Sequence, residues 1–181
     1  MRAVKRLLIF RHAKAGPRDE KHDKERALIE RGCDDAALIG RAMHEKGYKP
    51  DLVLCSSAKR TVETWQHAAP ELGDPEVRFL DALYDAPEKS VLQTIRSVKA
   101  RAPVILYIGH NPGLENLARM LVRKPADPGE KRRVAAMKDK FPTSAVAVVD
   151  FDVDAWSEIA PDTGALADFI TPAELKRANT A

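Results

Sequence analysis

Four short apolar runs punctuate the first two thirds of the chain, and each gives way to a polar turn and then to a stretch with helical spacing. The first run is Val4 to Phe10. After a polar loop, Ala36, Ala37, Ile39, Gly40 and Met43 recur on one helical face, predicting a helix from about Ile29 to Gly47. The second run, Asp51 to Cys55, starts after Pro50 and leads into a helix from about Ala58 to Ala69, stopped by Pro70. A weaker strand at Val77 to Leu80 precedes a helix from about Glu88 to Lys99. The fourth run, Val104 to Ile108, is rich in β-branched residues. Its helix starts near Pro112, a residue whose missing N–H costs nothing in a first helical turn.

Strands alternating with helices predict an α/β fold, a three-layer sandwich with a mainly parallel sheet and helices on both faces. Beyond Lys124 the pattern changes. Lys124 to Lys140 is charged and interrupted by Pro125, Pro128 and Gly129, which predicts an exposed loop with room for one short helix. Two β-rich runs follow, Ser144 to Phe151 and Trp156 to Ala160, across a polar turn at Asp152 to Asp154. They read as an antiparallel hairpin at one edge of the sheet. From Asp162 onward the chain reads as a surface-bound tail, frayed at its end. With no repeat, linker or break in composition, residues 1–181 read as one domain.

Composition adds only broad limits. Hydrophobic residues make up 44% and charged residues 31% of 181, ordinary values for a soluble globular chain. No apolar run approaches the roughly 20 residues that a membrane helix needs. Basic residues precede Leu7 to Phe10, as in a leader peptide, but Arg11 ends that stretch at once, so it reads as a buried strand. Cys33 and Cys55 are too few for a disulfide framework and point to a reducing compartment, the cytoplasm. A net charge of +3 is too mild to mark a nucleic-acid binder, and it does not repel an anionic substrate.

The candidate chemistry lies where strands end. Arg11-His12 follows the first run, Ser56-Ser57 with Arg60 the second, and Gly109-His110-Asn111 the fourth. Ligands of open α/β sheets bind outside the carboxyl ends of the strands, and parallel strands bring those ends to one edge. Two arginines and two histidines there make an anion site, and the natural anion is phosphate. A neutral imidazole attacks phosphorus through one nitrogen while a hydrogen bond holds the other. Arginine offers a rigid fork of donors matched to phosphate oxygens. Phosphoryl transfer depends chiefly on positioning and charge stabilisation, so such a ring of donors carries most of the catalysis, aided by helix N-termini near Ala58 and Pro112. HExxH and zinc-like spacings are absent, and no metal or cofactor is called for.

At these residues the chain resembles the histidine phosphatase superfamily. Leu8-Ile9-Phe10-Arg11-His12-Ala13-Lys14-Ala15 is similar to the family's RHG-type signature in an RHAKA form, which looks like the SixA-type phosphohistidine phosphatases. The resemblance continues through Ser56-Ser57-Ala58-Lys59-Arg60-Thr61 and Gly109-His110-Asn111-Pro112-Gly113-Leu114-Glu115. It extends to Asp23, Arg26 and Leu28 ahead of Glu30-Arg31-Gly32, to Leu83-Tyr84-Asp85-Ala86, and to Phe141-Pro142-Thr143-Ser144-Ala145. It implies a phosphoglycerate mutase-like fold, with His12 as the nucleophile that becomes a transient phosphohistidine. Arg11 and Arg60 would bind the phosphoryl oxygens, and His110 would donate a further hydrogen bond. Ser57, Asn111 and Lys14 are candidate substrate contacts.

Two departures refine the expectation. The mutase branch follows its histidine with Gly-Glu, whereas this chain has Ala13-Lys14. Little chain separates Tyr84 from the fourth strand, leaving no material for a long lid, and an open pocket suits a phosphate displayed on a protein. An alkoxide leaving group needs a general acid, for which Asp85, Glu88 and Asp23 are candidates, with Asp19 and Glu20 nearby. A phosphoramidate asks less of that acid. The expected partner is therefore a phosphohistidine-bearing protein, with a small phosphate ester as the second enzyme reading. A phosphate-binding module with little turnover is the reading from a different class. Lys131-Arg132-Arg133 with Lys138 and Lys140 reads as a solvated face.

Overall fold

The computed structural model describes residues 4–181; Met1 to Ala3, where the basic N-terminal segment starts, lie outside the described residues. Six strands form one sheet: β1 (Val4–Arg11), β2 (Leu52–Ser56), β3 (Glu76–Leu80), β4 (Val104–Gly109), β5 (Val146–Asp152) and β6 (Ala165–Ile170). Their order across the sheet is β3-β2-β4-β1-β5-β6. The first four run parallel to one another, and β5 and β6 are antiparallel additions beside β1. Six helices complete the fold: α1 (Glu30–Glu45), α2 (Lys59–Ala68), α3 (Glu88–Arg96), α4 (Gly113–Leu121), α5 (Pro128–Asp139) and α6 (Pro172–Thr180).

The continuous apolar runs of the central strands are explained by burial on both faces. Side chains alternate across a strand, and the core divides accordingly. Leu7, Ile9, Leu54, Ile105 and Tyr107 pack with Val91, Ile95, Leu117 and Met137 of α3, α4 and α5. Leu8, Phe10, Val53, Leu106 and Ile108 pack on the other face with Ile39 and Met43 of α1 and Trp65 of α2. The helix following β1 thus lies on one face, and the helix following its neighbour β4 lies on the other. That divergence opens a crevice at the carboxyl ends of β1 and β4, the point where α/β sheets bind ligands.

The second half departs from the sequence reading. The segment expected to be mainly loop holds α5, three turns long. Asp127 caps it by accepting the Glu130 N–H at 2.9 Å, with Pro128 in its first turn. The partner of β5 is β6, not Trp156 to Ala160. Trp156–Glu158 is a single 3-10 turn, and Trp156 and Ile159 are driven into the core instead, with the Trp156 indole donating to the Ala102 carbonyl at 2.7 Å. The segment read as a surface tail is therefore an edge strand and a capped helix, with the Thr171 hydroxyl accepting the Glu174 N–H at the start of α6. No helix among the described residues is long and apolar enough to cross a membrane.

Candidate active site

Arg11 ends β1 opposite Gly109 at the end of β4, so the residues that follow, His12 and His110, emerge side by side. The His12 N–H donates to the Gly109 carbonyl at 3.1 Å, and the two imidazole centroids are 5.3 Å apart. Three further segments close around them. The first turn of α2 supplies Arg60, the loop after β1 supplies Lys14, Arg18, Asp23 and Arg26, and the turn into α3 supplies Asp85 and Glu88. Together they line a cleft of about 550 Å³. Its floor is buried, with His12, Arg60 and His110 at 8%, 2% and 3% exposure, and its rim at Lys14, Arg18, Asp85 and Pro87 is exposed.

The backbone beneath this floor tolerates no bulk. A Cβ on Gly32 would run into the Lys14 carbonyl, and one on Gly109 into the Tyr107 hydroxyl. Glycine at Gly32 lets α1 approach the loop after β1 closely, and glycine at Gly109 leaves room for the Tyr107 ring.

His12 is held in one protonation state. Its Nδ1 lies 2.8 Å from the Ala13 carbonyl, which only accepts, so Nδ1 carries the hydrogen and Nε2 keeps a free lone pair. Burial pushes the imidazole down to about 3, and the Arg60, Arg11 and Arg26 charges push the same way against the Ala13 bond. The ring is therefore neutral, as a nucleophile requires. Burial and the Arg60 charge likewise push His110 down to about 3. Its Nε2 lies 2.7 Å from the Ser56 hydroxyl, while its Nδ1 is buried without a protein partner and 3.9 Å from the Asp85 carboxylate.

The guanidinium groups are fixed from behind. Arg60 donates to the Asp23 carbonyl at 2.8 Å and to the Asp23 carboxylate at 3.1 Å. Arg26 reaches the same carboxylate at 3.2 Å and the Gly16 carbonyl at 3.1 Å. Arg11 donates to the Phe141 carbonyl at 2.9 Å. Buried polar groups are ordinarily paired. Yet the Nε groups of Arg11, Arg26 and Arg60 and the Nδ1 of His110 have no hydrogen-bond partner among the described residues, and all four belong to residues of this one cleft. Unspent donors around a neutral imidazole suit a tetrahedral oxyanion.

Of the residues singled out in the sequence, Arg11, His12, Lys14, Asp23, Arg60, Asp85, Glu88, His110 and Asn111 all line the cleft. Ser57 does not. Its hydroxyl donates to Asp81, and it is Ser56, one residue earlier, that faces His110. Of the two helix N-termini expected there, Gly113 of α4 lines the cleft and Ala58 does not, whereas Pro87 and Glu88 bring in the start of α3. Asp23 is in the cleft as an anion. Burial alone would raise its carboxyl, but the Tyr84 hydroxyl, donating at 2.7 Å, and the Arg60 and Arg26 charges outweigh it and hold the group below its ordinary range. A carboxylate so engaged is a brace for the arginines and a poor proton donor. Asn111 donates weakly to Glu115 and to the Phe141 carbonyl, both at 3.3 Å. Sequence reasoning assigned no individual role to Arg26, Arg18, Ser56 or Tyr84. Arg26 and Tyr84 lay inside recognised motifs, Ser56 lay in one and in the polar cluster after the second run as well, and Arg18 carried no signal.

The comparisons with known proteins agree with this geometry. Residues 7–103 match the model of the histidine phosphatase superfamily (branch 1). The uncharacterized protein Rv1276c of Mycobacterium tuberculosis (strain ATCC 25618 / H37Rv) is 32% identical over 164 residues, covering 90% of this chain and 99% of that one. Among solved structures, the candidate phosphohistidine phosphatase SixA from Nakamurella multipartitia superposes with a TM-score of 0.79 at 27% identity, covering 94% of this chain and 97% of that chain. The corresponding SixA from Agrobacterium tumefaciens gives 0.74 at 29% identity, over 93% and 98% of the two chains. With its RHAKA signature at the end of β1, its two facing histidines and this set of relatives, the chain belongs to the histidine phosphatase superfamily, in its SixA-type branch.

Proposed function

We propose that this phosphatase works without a metal ion through a covalent phosphohistidine on His12, and that it removes phosphate from the phosphohistidine of a phosphotransfer protein. The observation that carries the reading is the pairing of His12 Nδ1 with the Ala13 carbonyl, which leaves Nε2 as a neutral nucleophile among arginines. In the first step the substrate's imidazole is protonated from solvent on its free ring nitrogen, His12 Nε2 attacks phosphorus, and the P–N bond breaks with its electron pair leaving on what is then a neutral imidazole. The positive charge that develops on the His12 ring is met by the Ala13 carbonyl through Nδ1–H. Arg11, Arg60 and His110 hold the three phosphoryl oxygens. In the second step water attacks phosphorus, releasing phosphate and restoring neutral His12. Five cationic side chains at the cleft, Arg11, Lys14, Arg18, Arg26 and Arg60, neutralise charge that a metal would otherwise meet.

The open rim supports a phosphate presented on a protein surface, and the SixA-named structural relatives support the phosphohistidine class. One observation favours the second reading, a small phosphate ester. Asp85 is half-exposed and stands 3.9 Å from His110 and 3.7 Å from Arg60, a position that supports it as the acid for an alkoxide leaving group. The test is loss of phosphoryl label from a phosphohistidine-bearing phosphotransfer protein, with wild type, His12→Ala and Asp85→Asn. Removal by wild type and Asp85→Asn but not by His12→Ala supports the reading. Hydrolysis confined to alkyl phosphates and lost in Asp85→Asn moves the function to the small-ester phosphatase, and silence on both substrates leaves a binding module.

A further inference from the structure

We propose that Ser56 is a positioning residue that locks His110 in the tautomer carrying its hydrogen on Nδ1. Ser56 closes β2 and is completely buried, so water does not compete for its hydroxyl. A neutral imidazole has a single N–H, and the partner of one nitrogen decides the role of the other. Here the partner of Nε2 is the Ser56 Oγ at 2.7 Å. That oxygen already accepts the Ala58 N–H at 3.3 Å, which leaves the hydroxyl hydrogen to be donated. His110 Nε2 is the acceptor within its reach. The opposite tautomer fails at both ends. It would leave the buried Ser56 hydrogen without an acceptor, and it would turn a bare Nδ1 lone pair toward the Asp85 carboxylate 3.9 Å away. A buried polar group left unpaired bears its desolvation penalty with nothing to offset it.

The consequence lies in the cleft. Nδ1 is the His110 nitrogen without a protein partner, and phosphoryl oxygens only accept. Ser56 therefore makes His110 a donor there. That last step rests on the phosphatase reading, whereas the tautomer itself does not.

The test is a long-range 1H–15N correlation spectrum of the full chain labelled with 15N-histidine and recorded without substrate. Wild type is expected to show His110 with a pyrrole-type Nδ1 and a pyridine-type Nε2. In Ser56→Ala those two shifts are expected to move toward each other as both tautomers become populated. The kcat on the phosphorylated substrate should fall about 10- to 100-fold, by analogy with removing the group that orients a metal-bound histidine. A pyrrole-type Nε2 in wild type overturns the proposal, whether or not the variant folds. So do unchanged His110 shifts in a folded Ser56→Ala. Failure of the phosphatase reading would instead appear as no turnover by wild type, with the spectrum unaffected.

Discussion

His12 and His110 are both buried and both pushed down to about 3, against an ordinary value of 6.5. Between those two values the unfolded chain binds more protons at these sites than the folded chain does, so stability rises with pH. Their contribution is fully present above about pH 6.5 and is lost as pH falls toward 3. An NMR titration of the folded protein should show no inflection of either ring near 6.5, and urea midpoints should fall between pH 7 and pH 5. Inflections at 6.5 would mean that the floor of the cleft is wetter than the structure has it. His12→Ala should abolish turnover, and Arg60→Ala should cost on the order of a hundredfold in kcat, as when one transition-state donor is removed. The convergence of His12, Arg11, Arg60 and His110 on one cleft was legible because each follows an apolar run that ends abruptly. Ser57 was placed one residue off for a physical reason. Successive strand residues face opposite sides, and β2 runs through Ser56, so the inward-facing hydroxyl is the earlier one.

Among the elements, β1, β2 and β4 were readable because strands buried on both faces are unbroken apolar runs, whereas the half-exposed edge strand β3 gave a weaker signal. In the antiparallel half β5 was readable, but its edge partner and the helix before it were not. The helix α5 buries only Glu130, Val134 and Met137 on an otherwise charged surface, so its apolar stripe is too thin to register. In β6 the pattern is blurred by Asp168, whose carboxylate is tied to Lys46 and Tyr48. Two side chains that look like surface charge in sequence join these elements: Arg133 donates to the Leu166 carbonyl, and Glu130 accepts from the same residue. Glu130 is 3% exposed and accepts the Leu166 N–H at 3.1 Å and the Ala126 N–H at 2.7 Å. Glu130→Ala would strand both donors and should lower stability by about 2–4 kcal/mol in urea unfolding, whereas a solvent-exposed glutamate would give almost nothing. Glu130→Gln, which keeps one acceptor, should fall between.

At the scale of the whole molecule, the site exists because chain order and sheet order differ. β4 inserts beside β1, and their connections leave on opposite faces. Residues about a hundred positions apart thereby share one crevice, and five cations against three carboxylates gather there, so most of the chain's net charge of +3 is focused on one cleft. That concentration was invisible in composition, which averages over the surface. It predicts that kcat/KM toward an anionic substrate falls as ionic strength rises, while added EDTA leaves kcat unchanged. Loss of activity with EDTA would mean that a metal shares the site.

The most direct measurement is to trap the enzyme during turnover of a 32P-labelled substrate and map the label by peptide mass spectrometry. The account predicts an acid-labile, base-stable phosphoryl group on the peptide containing His12, absent from His12→Ala. Turnover with no labelled enzyme, or with the label on another residue, would contradict it.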